Sequence, residues 1–256
     1  MLTALLKGKL SSEQENMEDV LTSSVFGAFQ YSDTSDALIQ FLQKSKRVYG
    51  EVPIEDDTDG LQVSFGDYEF WPLWSGIEGV NNCEPDLIIE IQNSTGKNIL
   101  VCIEAKFKSG KSTFPSIDGE ISDQLAKQWV HLYREAQNKS CMPWLIYLTA
   151  DTATPKRAIR ESKDELFNKP GFSNEAQQLR ISWLSWRELV ELFNHSDKQQ
   201  LSELSSLAKY LRLAYYKGMG RFDQLPEFRY KFRADSKRFN WDFRPTMTSN
   251  WEFGND

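Results

Sequence analysis

Two short apolar runs constrain the fold of this chain most strongly. Residues 99–103 (ILVCI) and 144–148 (WLIYL) are five residues long and made of aliphatic and aromatic side chains, a composition that favours buried strands. A membrane-spanning helix needs about 20 apolar residues, so these runs predict an interior sheet and no membrane span. Amphipathic segments stand between them, and alternation of strands with helices is typical of an α/β fold.

Further segments extend this alternation in both directions. Apolar spacing and turn residues predict helices at 12–29, 122–136, 155–167 and 189–193, and further strands at 61–74, 86–91 and 179–184. Ser12 with Glu15 and Ser185 with Glu188 fit capping boxes at the first and last of these helices. A helix at 196–216 and a basic, aromatic tail follow. We therefore predict an α/β core in residues 1–194, with a mixed central sheet flanked by helices, and a C-terminal extension in residues 195–256.

Composition indicates a globular intracellular protein. Apolar residues make up 40% of the chain, which is enough for a buried core. Cys83, Cys102 and Cys141 are odd in number and far apart, so we expect packing residues rather than disulfides or a metal-binding cluster. His131 and His195 stand on separate predicted helical segments, and we expect both on the surface. The N-terminal segment does not resemble a secretory signal, so we expect a cytoplasmic location.

Charged side chains interrupt the apolar pattern at the end of the strand at 99–105. Glu104 and Lys106 share one face of that strand, because side chains alternate, and the other face is core. Asp86 begins the preceding strand, and a hairpin brings its carboxylate beside Glu104. Two converging carboxylates, with the backbone carbonyl of Ala105, form an oxygen site for Mg²⁺ or Mn²⁺. Lys106 is placed to orient an attacking water or to help deprotonate it, as phosphodiester hydrolysis requires.

The spacing of these residues matches a known pattern. Pro85 and Asp86 are followed by 17 intervening residues and then by Glu104, Ala105 and Lys106. This arrangement resembles the signature of the PD-(D/E)XK nuclease superfamily. The resemblance implies a restriction-endonuclease-like fold in which Asp86 and Glu104 bind the metal ion and Lys106 assists the attacking water.

The same resemblance implies two accessory residues and a biological setting. Members of the superfamily usually carry an acidic residue on the first helix, and Glu18 matches its placement better than Glu15, which the capping box explains. Many also carry a glutamine on the helix after the signature, which Gln124 matches. The expected activity is that of a magnesium-dependent nuclease, with DNA favoured over RNA. A role in prokaryotic restriction or antiviral defence, as a homodimer or in a larger complex, follows by analogy.

Basic residues outside the signature are candidate nucleic-acid ligands. Lys108 and Lys111 lie in the polar loop after the strand at 99–105, where we expect them to approach a phosphate backbone. In the tail, Arg229, Lys231 and Arg233 alternate with aromatic residues, a pattern suited to binding nucleic acid. The alternative is that the tail aromatics pack on the core and leave the cations in solvent.

Two other functions stay open at this point. Residues 105–112 (AKFKSGKS) approach the P-loop pattern and would indicate a nucleotide hydrolase. However, Ala105 replaces the first glycine, and Pro115 falls within the second turn of the helix that should follow. The other alternative is a catalytically silent nuclease fold that binds nucleic acid or a partner protein.

Overall fold

The computed structural model describes residues 13–31, 35–54, 60–94, 96–107, 111 and 119–193. Ser12, the predicted helix at 196–216, the basic tail and the predicted boundary after residue 194 lie outside the described residues. None of the helices in the described ranges is long and apolar enough to cross a membrane.

Seven strands, six α-helices and one 3₁₀ turn make up this described part of the chain. The strands are β1 (Lys46–Tyr49), β2 (Leu61–Gln62), β3 (Tyr68–Phe70), β4 (Leu87–Asn93), β5 (Ile99–Lys106), β6 (Met142–Thr149) and β7 (Ile181–Ser185). The helices are α1 (Glu13–Gln30), α2 (Asp36–Gln43), α3 (Gln124–Asn138), α4 (Lys156–Asn168), α5 (Ser173–Gln177) and α6 (Trp186–Phe193), and the 3₁₀ turn is Phe65–Asp67.

The strands form one mixed sheet in the order β1-β7-β6-β5-β4-β2, with β3 also paired to β4. A hairpin joins β4 to β5 in antiparallel register, as the polar turn at 93–98 predicts. β5, β6 and β7 are parallel, because α3 connects the first two and α4 with α5 connects the second and third. The predicted mixed sheet flanked by helices is thus confirmed.

Both faces of the central strands are buried. On one face, α3 packs Leu125 and Trp129 against a cluster that includes Leu100 and Cys102 of β5. The alternate residues of the strands, such as Ile103, are equally buried on the other face. Helices α1, α2 and α6 pack on one another through aromatic rings, and α1 also contacts β5. The polar end of β5, with Glu104 and Lys106, is therefore buried as completely as its apolar face.

The region before β4 differs from its prediction. The expected strand at 61–74 is wrong in its extent: β2 and β3 are short and are separated by the 3₁₀ turn. Asp67 causes this break, because its side chain accepts a hydrogen bond from the backbone N–H of Ser64 at 2.6 Å, and its own N–H donates to the Ser64 carbonyl. Helix α2 and strand β1 are additional elements that were not predicted. They span only eight and four residues, which is too short for the period of their apolar residues to distinguish a helix from a strand.

His131 is buried, so the expectation of a surface position is wrong. Its ring stacks on Trp74 with a centroid distance of 5.9 Å and an interplanar angle of 19°. Burial lowers the pKa of His131, so the residue behaves as a packed aromatic ring. The three cysteines are buried and free, which agrees with their predicted role in packing.

Candidate active site

The predicted catalytic residues meet at one edge of the sheet. Parallel strands carry their carboxyl ends at the same edge, the usual position for ligands in α/β proteins. Asp86 directly precedes β4, which runs antiparallel to β5, so the start of β4 lies at this edge too. Leu87 pairs with Ile103, and one further step along the register brings Asp86 beside Glu104.

Asp86 is buried against the backbone of β5. Its Oδ2 accepts a hydrogen bond of 2.7 Å from the N–H of Ala105. The next residue, Lys106, directs its carbonyl to the N–H of Ala150 beside β6, so Ala105 directs both backbone groups towards the side of Asp86. Burial and the neighbouring Glu104 carboxylate raise the pKa of Asp86 well above its usual range, against the opposing effects of Lys106 and the Ala105 N–H.

Glu104 is almost completely buried, with 1% of its surface exposed. Its Oε1 accepts from the Lys106 ammonium at 2.7 Å and from the Gln124 amide at 2.6 Å. Its Oε2 accepts from the amide of Gln128. Hydrogen-bond donors from β5 and α3 therefore surround this carboxylate and fix its orientation.

Lys106 bridges two carboxylates from distant parts of the chain. Its Nζ lies 2.7 Å from Glu104 Oε1 and 3.0 Å from Glu18 Oε1, and the other oxygen of Glu18 accepts from the N–H of Phe107 at 2.9 Å. Burial lowers the pKa of Lys106, but Glu104, Asp86 and Glu18 outweigh it, so the pKa is raised overall. One ammonium thus faces three carboxylates, and the cluster carries excess negative charge.

The start of α3 is held in place by carboxylates outside this cluster. Asp123 caps the helix by accepting from the N–H groups of Leu125 and Ala126, both at 3.1 Å. Glu165 of α4 accepts in turn from the Asp123 N–H at 3.0 Å. These bonds fix the first turn of α3, and with it the side chain of Gln124 that reaches Glu104.

Sequence reasoning missed two side chains at this edge. Gln128 stands one helical turn after Gln124, and this four-residue spacing was the available signal. Tyr147 of β6 lies beside Glu104 in the parallel register. Burial, together with the nearby carboxylates, raises the pKa of Tyr147, with Lys106 opposing. No local sequence pattern predicts that Tyr147 lies at the site, because its position depends on how β6 pairs with β5.

The structure brings together the five predicted catalytic residues at this edge: Glu18, Asp86, Glu104, Lys106 and Gln124. Lys108 falls outside the described residues, and so do the predicted tail ligands Arg229, Lys231 and Arg233. Their contacts with nucleic acid stay predictions.

The side chain of Lys111 is buried and forms an ion pair and hydrogen bonds within the protein. Its ammonium pairs with Asp123 and also donates to the Ala158 carbonyl at 2.9 Å and to Ser162 Oγ at 3.0 Å. Only 7% of the Lys111 side chain is exposed. A contact with a phosphate, in nucleic acid or in a P-loop, would first have to break the pair with Asp123, so the predicted role of Lys111 stays a prediction.

We expect Lys111→Met to lower the free energy of unfolding by about 3 kcal/mol, because it leaves the buried Asp123 carboxylate without its counter-charge. Arg157→Gln is the matched control on α4, since Arg157 pairs with Glu161 in solvent and should contribute less than about 1 kcal/mol. Urea unfolding of both variants measures the difference. Equal effects in the two would show that the Lys111 pair is no stronger than a surface pair.

The oxygen donors at the site suit a hard divalent cation. No group of three acidic, histidine or cysteine side chains at metal-binding spacing is found among the described residues. The two carboxylates of Asp86 and Glu104, with the Ala105 carbonyl on the same side, are nevertheless the oxygen ligands that Mg²⁺ and Mn²⁺ prefer. Carboxylates also outnumber ammonium groups at the site, and a divalent cation would balance their negative charge.

No family model, curated protein or solved structure matches this chain. The resemblance of residues 85–106 to a nuclease signature therefore stands on the residues themselves. Their arrangement in the fold is the basis on which we assign a function.

Proposed function

We propose that this protein is a divalent-metal-dependent nuclease of restriction-endonuclease-like fold that hydrolyses phosphodiester bonds, preferentially in DNA. One observation carries the proposal: Asp86, Glu104 and Lys106 meet at the carboxyl edge of a mixed sheet, and Glu18 joins them from the first helix. Burying three carboxylates around one lysine is expensive. Such a cluster is expected where a cation and a phosphate are to be bound.

Asp86, Glu104 and the Ala105 carbonyl would hold the metal ion, and Glu18 would add a further carboxylate. When bound, the cation would polarise a phosphoryl oxygen and offset the negative charge of the transition state. The three hydrogen-bond donors on Glu104 keep its carboxylate in one orientation before the cation arrives. This preorganisation avoids rearrangement during the reaction.

Lys106 would act on the attacking water. An ammonium has three N–H donors, and two of them are directed to Glu104 and Glu18. The third would donate a hydrogen bond to the water and direct it to the phosphorus. The surrounding carboxylates favour the charged ammonium, so Lys106 serves better as a donor than as a base.

The substrate must approach an acidic chain, whose net charge is −7. A polyanion responds to the local field rather than to the average, so a divalent cation and nearby basic residues would have to attract it. Lys108 and the tail residues Arg229, Lys231 and Arg233 are the candidates from the sequence. A role in restriction or antiviral defence, as a homodimer or in a larger complex, remains part of this proposal by analogy with the nuclease superfamily.

Purified full-length protein tests the proposal when it is incubated with supercoiled plasmid, single-stranded DNA and RNA in Mg²⁺, Mn²⁺ or EDTA. We expect cleavage of a DNA substrate with either metal and none in EDTA. Faster cleavage of RNA than of DNA would reassign the substrate. Binding of nucleic acid without cleavage under all these conditions would instead support a catalytically silent binding module.

A further inference from the structure

Gln128 is an unusual residue for its place in the fold. It is fully buried on α3, a helix that also buries the apolar residues Leu125 and Trp129. Its amide nitrogen donates to Glu104, but its Oε1 has no hydrogen-bond partner among the residues that the structure describes. A buried acceptor without a hydrogen-bond partner destabilises the fold. Packing alone would favour methionine or leucine here, so the amide N–H is the part of Gln128 that calls for an explanation.

The N–H of Gln128 acts on a specific atom. Lys106 and Gln124 both donate to Oε1 of Glu104, whereas Gln128 donates to Oε2. The last torsion of a glutamate side chain has a broad, shallow preference. Donors on Oε1 restrain this torsion from one side only, and a donor on Oε2 adds a restraint on the plane of the carboxylate from the other side.

Helix α3 makes this constraint rigid. Gln124 and Gln128 are one turn apart on the same side of the helix, and the Asp123 cap secures the turn that contains them. The two amides therefore reach the two oxygens of Glu104 from one fixed element. A side chain on a loop would hold the carboxylate less precisely.

We propose that Gln128 is a positioning residue that sets the orientation in which Glu104 binds the divalent cation. The inference rests on the proposed function and adds a residue to it. Partners that orient a metal ligand typically contribute 10–100-fold to metal affinity. Gln128 would not touch the cation itself, so its effect is expected on metal affinity first and on turnover only through it.

Calorimetric titration of the full chain with Mn²⁺ alone, without nucleic acid, tests this role. We expect Gln128→Met, which keeps the volume but removes the N–H, to raise the dissociation constant for Mn²⁺ by about 10–100-fold. Gln137→Met is the matched control, because Gln137 is exposed on the same helix, and it should bind Mn²⁺ as the wild type does. At saturating Mn²⁺, cleavage by Gln128→Met should return close to the wild-type rate.

Gln128→Asn provides a second variant if the methionine variant does not fold. Its amide is one methylene shorter and does not reach Glu104, so the same loss of Mn²⁺ affinity is expected. Wild-type Mn²⁺ affinity in a folded Gln128 variant would overturn the positioning role and leave the nuclease proposal standing. Absence of Mn²⁺ binding in the wild-type protein would overturn both.

Discussion

Asp86→Asn is expected to lower the turnover of metal-dependent DNA cleavage by about 10³-fold or more. Losing a carboxylate ligand removes several kcal/mol of metal-based transition-state stabilisation, and each 1.36 kcal/mol corresponds to a factor of ten. Asparagine keeps the size of the side chain and an oxygen that accepts from the Ala105 N–H. The measurement is kcat on plasmid DNA at saturating Mn²⁺, together with a Mn²⁺ titration.

The free energy of unfolding of Asp86→Asn shows whether a loss of turnover comes from lost chemistry or from misfolding. Burial and repulsion from Glu104 disfavour the charged form of Asp86 and raise its pKa, and a neutral amide escapes both penalties. We therefore expect Asp86→Asn to be at least as stable as the wild type in EDTA. Glu90→Gln is the control on the neighbouring strand, since Glu90 lies in the middle of β4 and accepts a hydrogen bond from Asn98 instead of joining the cluster. Wild-type turnover in Asp86→Asn would remove Asp86 from the chemistry.

The hairpin that carries the signature could be predicted because its constraints are local. The polar turn at 93–98 fixes which strands pair, and alternation along β5 puts Glu104 and Lys106 on one face. These two rules are enough to bring Asp86 beside Glu104. The resemblance to a nuclease signature then pointed to Glu18 and Gln124, whose contacts with Lys106 and Glu104 no local rule requires.

The rest of the site depends on long-range packing. Tyr147 stands beside Glu104 only because β6 follows a helix crossover and pairs in parallel with β5. The polar loop around Lys111 suggests an exposed cation, yet that side chain pairs with Asp123, which caps a helix twelve residues further along the chain. The polar face of β5 is buried because α3 covers it, and a strand's own alternation does not reveal which helix lies above it.

Lys106→Met should have the second large effect, on stability as well as on turnover. Lys106 is the ammonium that offsets Glu104 and Glu18, and the three side chains are at most 12% exposed. Removing one member of a buried ion pair costs about 3–5 kcal/mol, so we expect urea unfolding in EDTA at a clearly lower concentration. Loss of the group that orients the water should also lower turnover by about 10²–10⁴-fold.

Metal should partly reverse the loss of stability without restoring turnover. A divalent cation that binds the folded protein stabilises it by mass action, and in Lys106→Met it would replace the missing positive charge among the carboxylates. The gain in unfolding free energy on adding Mg²⁺ should therefore be larger for this variant than for the wild type. Lys139→Met is the control, because Lys139 pairs with Glu135 in a far more exposed position. If Mg²⁺ stabilises neither Lys106→Met nor Lys139→Met, the cation does not bind among these carboxylates, and the proposed metal site would have to be abandoned.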